Sequence, residues 1–354
     1  MSENRPTGVA CALASAALFG ASTPLAKLLL GATDPWLLAG MLYLGAGLGL
    51  ALVRPWLRRG AAAEAPLRAA DLPWLAAMIL FGGVLGPVLL MLGLVRTSGA
   101  SAALLLNLEG LATLAIAWLV FRENVDRRIF LGAAAILAGA LLLSWTGSLG
   151  GLDLGALLIG GACLAWGVDN NLTRKLSSAD PVQIAMLKGL AAGPVNLALA
   201  LANGASLPDA ALLAGGLVVG FLGYGASLVL FILALRHLGT ARTGAYFATA
   251  PFVGALLAVP LLGEHPTVPM ILAGGLMALG VWLHLTERHE HDHAHELQDH
   301  EHRHVHDAHH RHGHGPDDPA GEPHSHHHRH GPLTHRHPHF PDLHHRHGHG
   351  SGAS

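Results

Sequence analysis

Residues 98–123 read SGASAALLLNLEGLATLAIAWLVFRE. Between Ser98 and the pair Arg122-Glu123 this run carries one ionisable side chain, Glu109. A helix rises 1.5 Å per residue, so roughly 20 such residues cross the ~30 Å hydrocarbon core of a bilayer. Glu109 lies eleven residues from Ser98 and twelve from Phe121, too deep to reach water easily by extending its side chain.

Outward from this run, the chain divides into ten apolar stretches of spanning length. They lie at about 8–30, 35–57, 73–95, 98–121, 129–147, 152–174, 180–202, 210–235, 240–262 and 267–286. Polar or Pro/Gly punctuation separates them, as at Asp34-Pro35, Asp180-Pro181 and Glu264-His265-Pro266. The first stretch is too long, and too like the others, for a cleaved signal peptide. Hydrophobic residues make up 51% of the 354, yet only nine lie beyond Thr286. The first 286 residues are therefore about 60% apolar, against ~45–50% in soluble domains. Lys+Arg 21 nearly balance Asp+Glu 23, leaving no basic surface for nucleic acid. Cys11 and Cys163 are too few for a disulfide framework or a thiolate metal site. An ordinary soluble enzyme is excluded, and no nucleotide-binding loop or catalytic cluster appears.

Cytoplasmic loops of membrane proteins carry the excess of Lys and Arg. With ten crossings and both ends inside, the inner segments hold thirteen, against Lys27 and Arg96 outside. The thirteen are Arg5, Arg54, Arg58, Arg59, Arg68, Arg122, Arg127, Arg128, Arg174, Lys175, Arg236, Arg242 and Arg288. Moving to nine or eleven crossings destroys this bias. The expectation is an integral protein of a bacterial cytoplasmic membrane with both termini in the cytoplasm.

The body also repeats. Phe121-Arg122-Glu123 maps at an offset of 141 onto Leu262-Gly263-Glu264, and Phe19-Gly20 maps at 147 onto Trp166-Gly167. Five spans per half is an odd number, so the halves insert upside down, an arrangement that places transporter sites at the repeat interface. The expected units are 1–147 and 152–286, followed by a disordered cytoplasmic His-rich tail, 287–354. Leu18-Phe19-Gly20-Ala21-Ser22, Leu164-Ala165-Trp166-Gly167, Leu106-Asn107-Leu108-Glu109-Gly110, Leu119-Val120-Phe121-Arg122-Glu123-Asn124 and Pro251-Phe252 through Leu262-Gly263-Glu264 carry a resemblance. The chain resembles the EamA-type permeases of the drug/metabolite transporter superfamily over residues 8–286. That resemblance implies a ten-helix secondary carrier, usually an exporter of small metabolites, and names no substrate.

Close packing rather than hydrophobic expulsion holds helices together in lipid, which fits the small-residue pairs Gly45/Gly49, Gly82/Gly86, Gly189/Gly193 and Gly216/Gly220. Pro24 and Pro251 are the preferred hinge candidates among the prolines inside spans. An ionised group near the bilayer centre costs at least ~2.5–3.5 kcal/mol and needs a partner or a wet cavity. Glu109 reads as a cavity-lining, proton-coupled acid or as an acid held by a helix–helix hydrogen bond. Asp169-Asn170-Asn171 and Lys188 lie at matching depths in the second half. Asp169 and Lys188 could pair as an inner gate; alternatively Lys188 binds an anionic substrate group or pairs with Glu109. Tyr246 and Phe247 lie deep enough to contact substrate, with packing an equal alternative.

Of the 27 histidines, 24 lie between His289 and His349. Imidazoles beside carboxylates chelate Zn, Ni, Co or Cu, and His289, His291, His293, His295, His300, His302, His304 and His306 are candidate ligands for weak, exchangeable ions. No cofactor is required. The partners expected are the lipid bilayer, a small-molecule substrate and divalent metal ions at the tail; no nucleic acid is expected, and a homodimer is left open. Three functions follow: a metabolite or drug exporter, an efflux carrier for a divalent metal or its complex with the tail as collector, or a non-transporting metal sensor. Isothermal titration of the purified chain with Zn²⁺ should show several weak sites that vanish on deletion of residues 287–354; retention of those sites after deletion contradicts the tail assignment.

Overall fold

The computed structural model describes residues 5–57, 67, 69–121, 127–145, 152–173, 180–238 and 240–286, with the tail segments 290–295, 298–304, 324–330 and 333–338. The helices group into rods: α1 (Arg5–Leu30), α2 (Pro35–Leu57), α3 (Ala69–Arg96), α4 (Gly99–Leu105 and Leu108–Phe121), α5 (Arg127–Ser144) and α6 (Leu154–Thr173). The second series continues with α7 (Pro181–Ala202), α8 (Ala210–Gly220 and Ser227–Leu238), α9 (Thr240–Phe247 and Ala250–Leu262) and α10 (Val268–Leu285). Nine of these are long and apolar enough to cross a membrane; the exception is α6, whose 20 residues include Asp169-Asn170-Asn171. Apolar length therefore supports nine crossings among the described residues, one fewer than expected.

The polar punctuation works as helix capping. The Asp34 carboxylate accepts from the amides of Trp36 and Leu37, Asp180 from Val182 and Gln183, and Asp209 from Leu212. Such residues satisfy amides left without partners at a helix start, and Pro35 and Pro181 occupy positions that need no donor. Gly263, at φ 65°, ends α9 in the left-handed conformation. Glu123, the sequence counterpart of Glu264, lies outside the described residues, as do Arg58, Arg59, Arg68, Arg122, Arg174, Lys175 and Arg288.

The packing follows the sequence repeat. Exchanging each rod for the one five places on maps α1·α8 onto α6·α3, α1·α9 onto α6·α4, and α2·α8 onto α7·α3, all of which pack together. The pairs α2·α7, α4·α9 and α5·α10 map onto themselves, and they pack too. Irregularities repeat likewise: α3 contains a π-helical turn at Ile79–Leu85 and α8 one at Phe221–Ala226. α4 breaks at Leu106-Asn107, and α9 breaks at Ala248-Thr249.

Glycine sets the distances. A Cβ on Gly45 would lie 2.1 Å from the Leu217 carbonyl oxygen, and one on Gly220 would lie 2.0 Å from that of Leu42. Gly189 and Gly47 bring α7 and α2 into backbone contact in the same way. Large apolar side chains point outward instead: Leu52, Leu119, Val120, Leu256 and Val268 are at least 67% exposed. The interior holds Ser15, Ser22, Thr23, Asn107, Asp169, Asn171, Asn196 and Ser227, all buried. An apolar outside, with these few polar side chains kept within a largely apolar core, suits a lipid solvent.

The tail departs from the disordered expectation in part. Residues Glu290–His295 pair antiparallel with Leu333–Pro338, and Gln298–His304 with His324–His330. Alternation of His with other residues has the period of a strand, which permits such pairing; a two-stranded ladder alone is marginal in water. His289 and His306 lie outside the described residues.

Overpacking at a closed interface costs about 1–3 kcal/mol. Gly45→Val and Gly220→Val should therefore lower the thermal midpoint in detergent, whereas Gly275→Ala, where a Cβ meets nothing within 4 Å, should leave it unchanged.

Candidate functional site

The π-helical turn of α3 presents carbonyls sideways, and side chains from three other rods bind them. Tyr43 of α2 donates its hydroxyl to the Gly82 oxygen at 2.5 Å, and the Trp166 ring N–H of α6 donates to the same oxygen at 3.1 Å. Asn196 of α7 donates to the Gly83 oxygen at 2.9 Å. Because residues 82 and 83 lack side chains, charged groups close on the turn. Lys188 Nζ donates to Asp169 Oδ2 at 2.5 Å, and a Cβ on Gly82 would sit 2.1 Å from that same oxygen. The Lys188 stem lies against Gly83. Asp169 is 4% exposed, and its Oδ1 is buried without a hydrogen-bond partner.

Glu109 belongs to a second cluster. It occupies the first turn of the second piece of α4, where the helix dipole favours a carboxylate. Asn107 makes that break: its side chain donates to the Leu104 oxygen at 2.8 Å, and the Glu109 amide bonds the Leu106 oxygen at 3.0 Å. Asn170 Nδ2 donates to Glu109 Oε1 at 3.0 Å and to Thr113 Oγ1 at 3.2 Å. Asn171, buried beside it, donates instead to the backbone oxygens of Thr113 and Gly167. The sequence-predicted residues thus separate into two pairs, Asp169 with Lys188 and Glu109 with Asn170. Lys188 takes Asp169 as its ion-pair partner, not Glu109.

The other candidates lie on the first piece of α9. The Phe247 ring packs 5.3 Å from Phe19 and 4.9 Å from Phe231, and Phe19 packs edge-on to Tyr224. Tyr224 lies 5.7 Å from Tyr43, so this aromatic cluster adjoins the residue that holds Gly82. Tyr246 is half-buried, and its backbone oxygen accepts from the Thr249 hydroxyl. Pro24 is buried within α1, and Pro251 begins the second piece of α9 directly after its break. Ser22 stands against Gly223 on the π-helical turn of α8, the pseudo-equivalent of Asp169 against Gly82. The repeat therefore carries its ion pair in the second half alone.

The crossing of α4 and α9 is lopsided. The first piece of α4 packs on the second piece of α9 and on α1. The mirror contact, Leu108–Phe121 against Thr240–Phe247, is at most marginal among the described residues. The two rods are therefore packed together at the Glu264 end, and from their mid-rod breaks toward the other end Gly110, Asn170 and Thr249 are exposed.

Tyr43, Thr113 and Asn196 were missed in the sequence. An isolated hydroxyl or amide deep in an apolar run is the available signal, since such a group must find a partner. Among the described residues no group of three His, Cys, Asp or Glu side chains could hold a metal ion.

The EamA-like transporter family model matches residues 6–145 and 153–286. A protein of Methanothermobacter thermautotrophicus described as an uncharacterized transporter is 29% identical over 282 residues, covering 75% of this chain and 82% of that one. A crystal structure that covers 78% of this chain and 97% of its own shares the fold with a TM-score of 0.57 at 20% identity.

Removing one partner of a buried ion pair leaves a lone charge, at a cost of about 3–5 kcal/mol. Asp169→Asn and Lys188→Met should each destabilise the protein in detergent unfolding, and the double substitution should recover most of the loss. Additive losses would contradict the pair.

Proposed function

The chain belongs to the EamA-like transporter family, and from that premise we propose that it exports a small metabolite or drug-like compound as a secondary active carrier working by alternating access. The family and the nine apolar helices make it an integral membrane transporter. In this reading α6 is the tenth crossing, with Asp169 and Asn171 buried and Asn170 exposed beside Glu109, and the units 1–147 and 152–286 insert upside down with both termini in the cytoplasm. The bias of Arg and Lys between the loops supports that orientation.

The lopsided crossing of α4 and α9 carries the reading. Two pseudo-equivalent contacts exist in the architecture, and one is extensive while the other is at most marginal among the described residues. Exchanging them closes the splayed end and opens the shut one, which is what alternating access requires. Under the proposed orientation this conformation faces the cytoplasm.

Glu109 is the coupling acid in this scheme. It sits at a half-helix start beside exposed Asn170 and Gly110, so a proton can be exchanged with water in the opening. Asp169 and Lys188, neutral as a pair and engaged in this cytoplasm-facing conformation, form the polar floor of the cavity rather than a closed inner gate, with Asn170 and Asn171 linking α6 to α4. Tyr246 and Phe247 supply the aromatic wall, and Pro24 and Pro251 act as hinges. The His-rich tail favours a second reading, efflux of a divalent metal or its complex. Against it, Asp169 is already held by Lys188.

A deletion strain carrying the chain should tolerate one class of organic compound in a panel that also includes Zn, Ni, Co and Cu salts. Glu109→Gln should reduce export of that compound at least tenfold in inverted vesicles and abolish the accompanying proton flux. Protection against metal salts alone, lost with residues 287–354, overturns the metabolite reading.

A further inference from the structure

We infer that Lys27 and Glu264 form a charge clasp that holds the shut end of the bundle and must release once in each transport cycle. The inference rests on the carrier reading and adds the device that biases its two states. The connection between α3 and α4 is two residues, Thr97 and Ser98. There the last carbonyls of one helix and the first amides of the next lie side by side without intrahelical partners. Lys27, on α1, donates its ammonium to the Leu94 oxygen and, at 3.0 Å, to the Thr97 oxygen. Glu264, just past α9, accepts from the Gly99 amide at 2.5 Å and the Ala100 amide at 2.9 Å. Each helix end is thus met by the charge its dipole attracts, cation at the C-terminus and anion at the N-terminus.

A third tie comes from the start of α6. The Thr97 hydroxyl donates to Asp153 Oδ2 at 3.2 Å, and the same oxygen accepts from the Ala156 amide at 2.9 Å. One two-residue turn is therefore bound to α1, α6 and α9 together. Behind it Ala103 and Ala258 are buried where the first piece of α4 meets the second piece of α9. That contact cannot part while Glu264 keeps both amides, because Glu264 follows α9 by two residues.

The test uses the full chain in lipid nanodiscs, open to reagent on both faces, with Cys11 and Cys163 replaced by Ser and Ala. Ala258→Cys reports the shut end and Gly110→Cys the splayed end by their rates of maleimide modification. In Glu264→Gln and in Lys27→Met, modification at position 258 should rise about tenfold and that at position 110 should fall. A rise at both positions means a loosened fold, and no change at 258 in either variant means the contacts are passive; each result overturns the clasp. Should one variant fail to fold, the other acts on the opposite helix end and decides. Normal transport by variants with an unresponsive position 258 defeats the clasp alone, whereas absence of any transport by the unaltered chain defeats the carrier reading beneath it.

Discussion

A bilayer offers no water to a backbone amide or carbonyl, so every departure from regular helix must be met by the protein itself. That constraint organises the interior of this chain. The π-helical turn of α3 shifts the Gly82 and Gly83 carbonyls out of the helical ladder, and Tyr43, Trp166 and Asn196 converge on them. The break in α4 is closed by Asn107, and the turn between α3 and α4 by Lys27 and Glu264. Several polar side chains in the core answer a backbone irregularity or a second polar group, whereas fully buried Thr243 keeps its hydroxyl without a hydrogen-bond partner. Apart from Asn107, which bonds within α4, these contacts join different rods, so satisfying the backbone also ties the rods together.

Two kinds of interface result. Around α2 and α7, glycines bring backbones into contact and leave little room for change, and Arg54 adds a salt bridge to Asp180 at 3.1 Å. This pair maps onto itself in the repeat. Around α4 and α9, both rods are broken in the middle, and their halves pack extensively at one end, the contact at the other being at most marginal among the described residues. A close-packed pair beside two divided rods fits the two-state carrier proposed. The chemistry is unequal between the halves: Asp169 and Lys188 face α3, while the equivalent position against α8 is Ser22 beside an aromatic cluster.

Much of this was legible in the residues. Runs of spanning length and the offset repeat express bilayer thickness and duplication, which sequence records directly, whereas an odd five per half counts α6, which is not among the nine apolar rods. Asp169 and Lys188 could be paired because their depths are countable along helices. Other features were hidden because they depend on partners far along the chain. The breaks at Leu106-Asn107 and Ala248-Thr249 carry no glycine, and only the second is followed closely by a proline, Pro251. Glu109 therefore read as a mid-helix acid when it stands at a helix start. Glu264 marked the repeat as a motif, but its role as a cap appears only when Gly99 comes beside it. The helix α6 was counted as a crossing on length, whereas its polar end sets it apart from the nine apolar rods.

Alternating access requires the two ends of the α4–α9 crossing to open in opposition. Spin-label pairs can follow this: one pair at Ser101 and Leu261, another at Leu119 and Arg242, with distances followed by double electron–electron resonance in reconstituted protein across a pH titration and with an exported compound. Two distance populations are expected at each pair, lengthening at 101–261 whenever 119–242 shortens. A single unchanging distance at both pairs, or two ends that widen together, would contradict it.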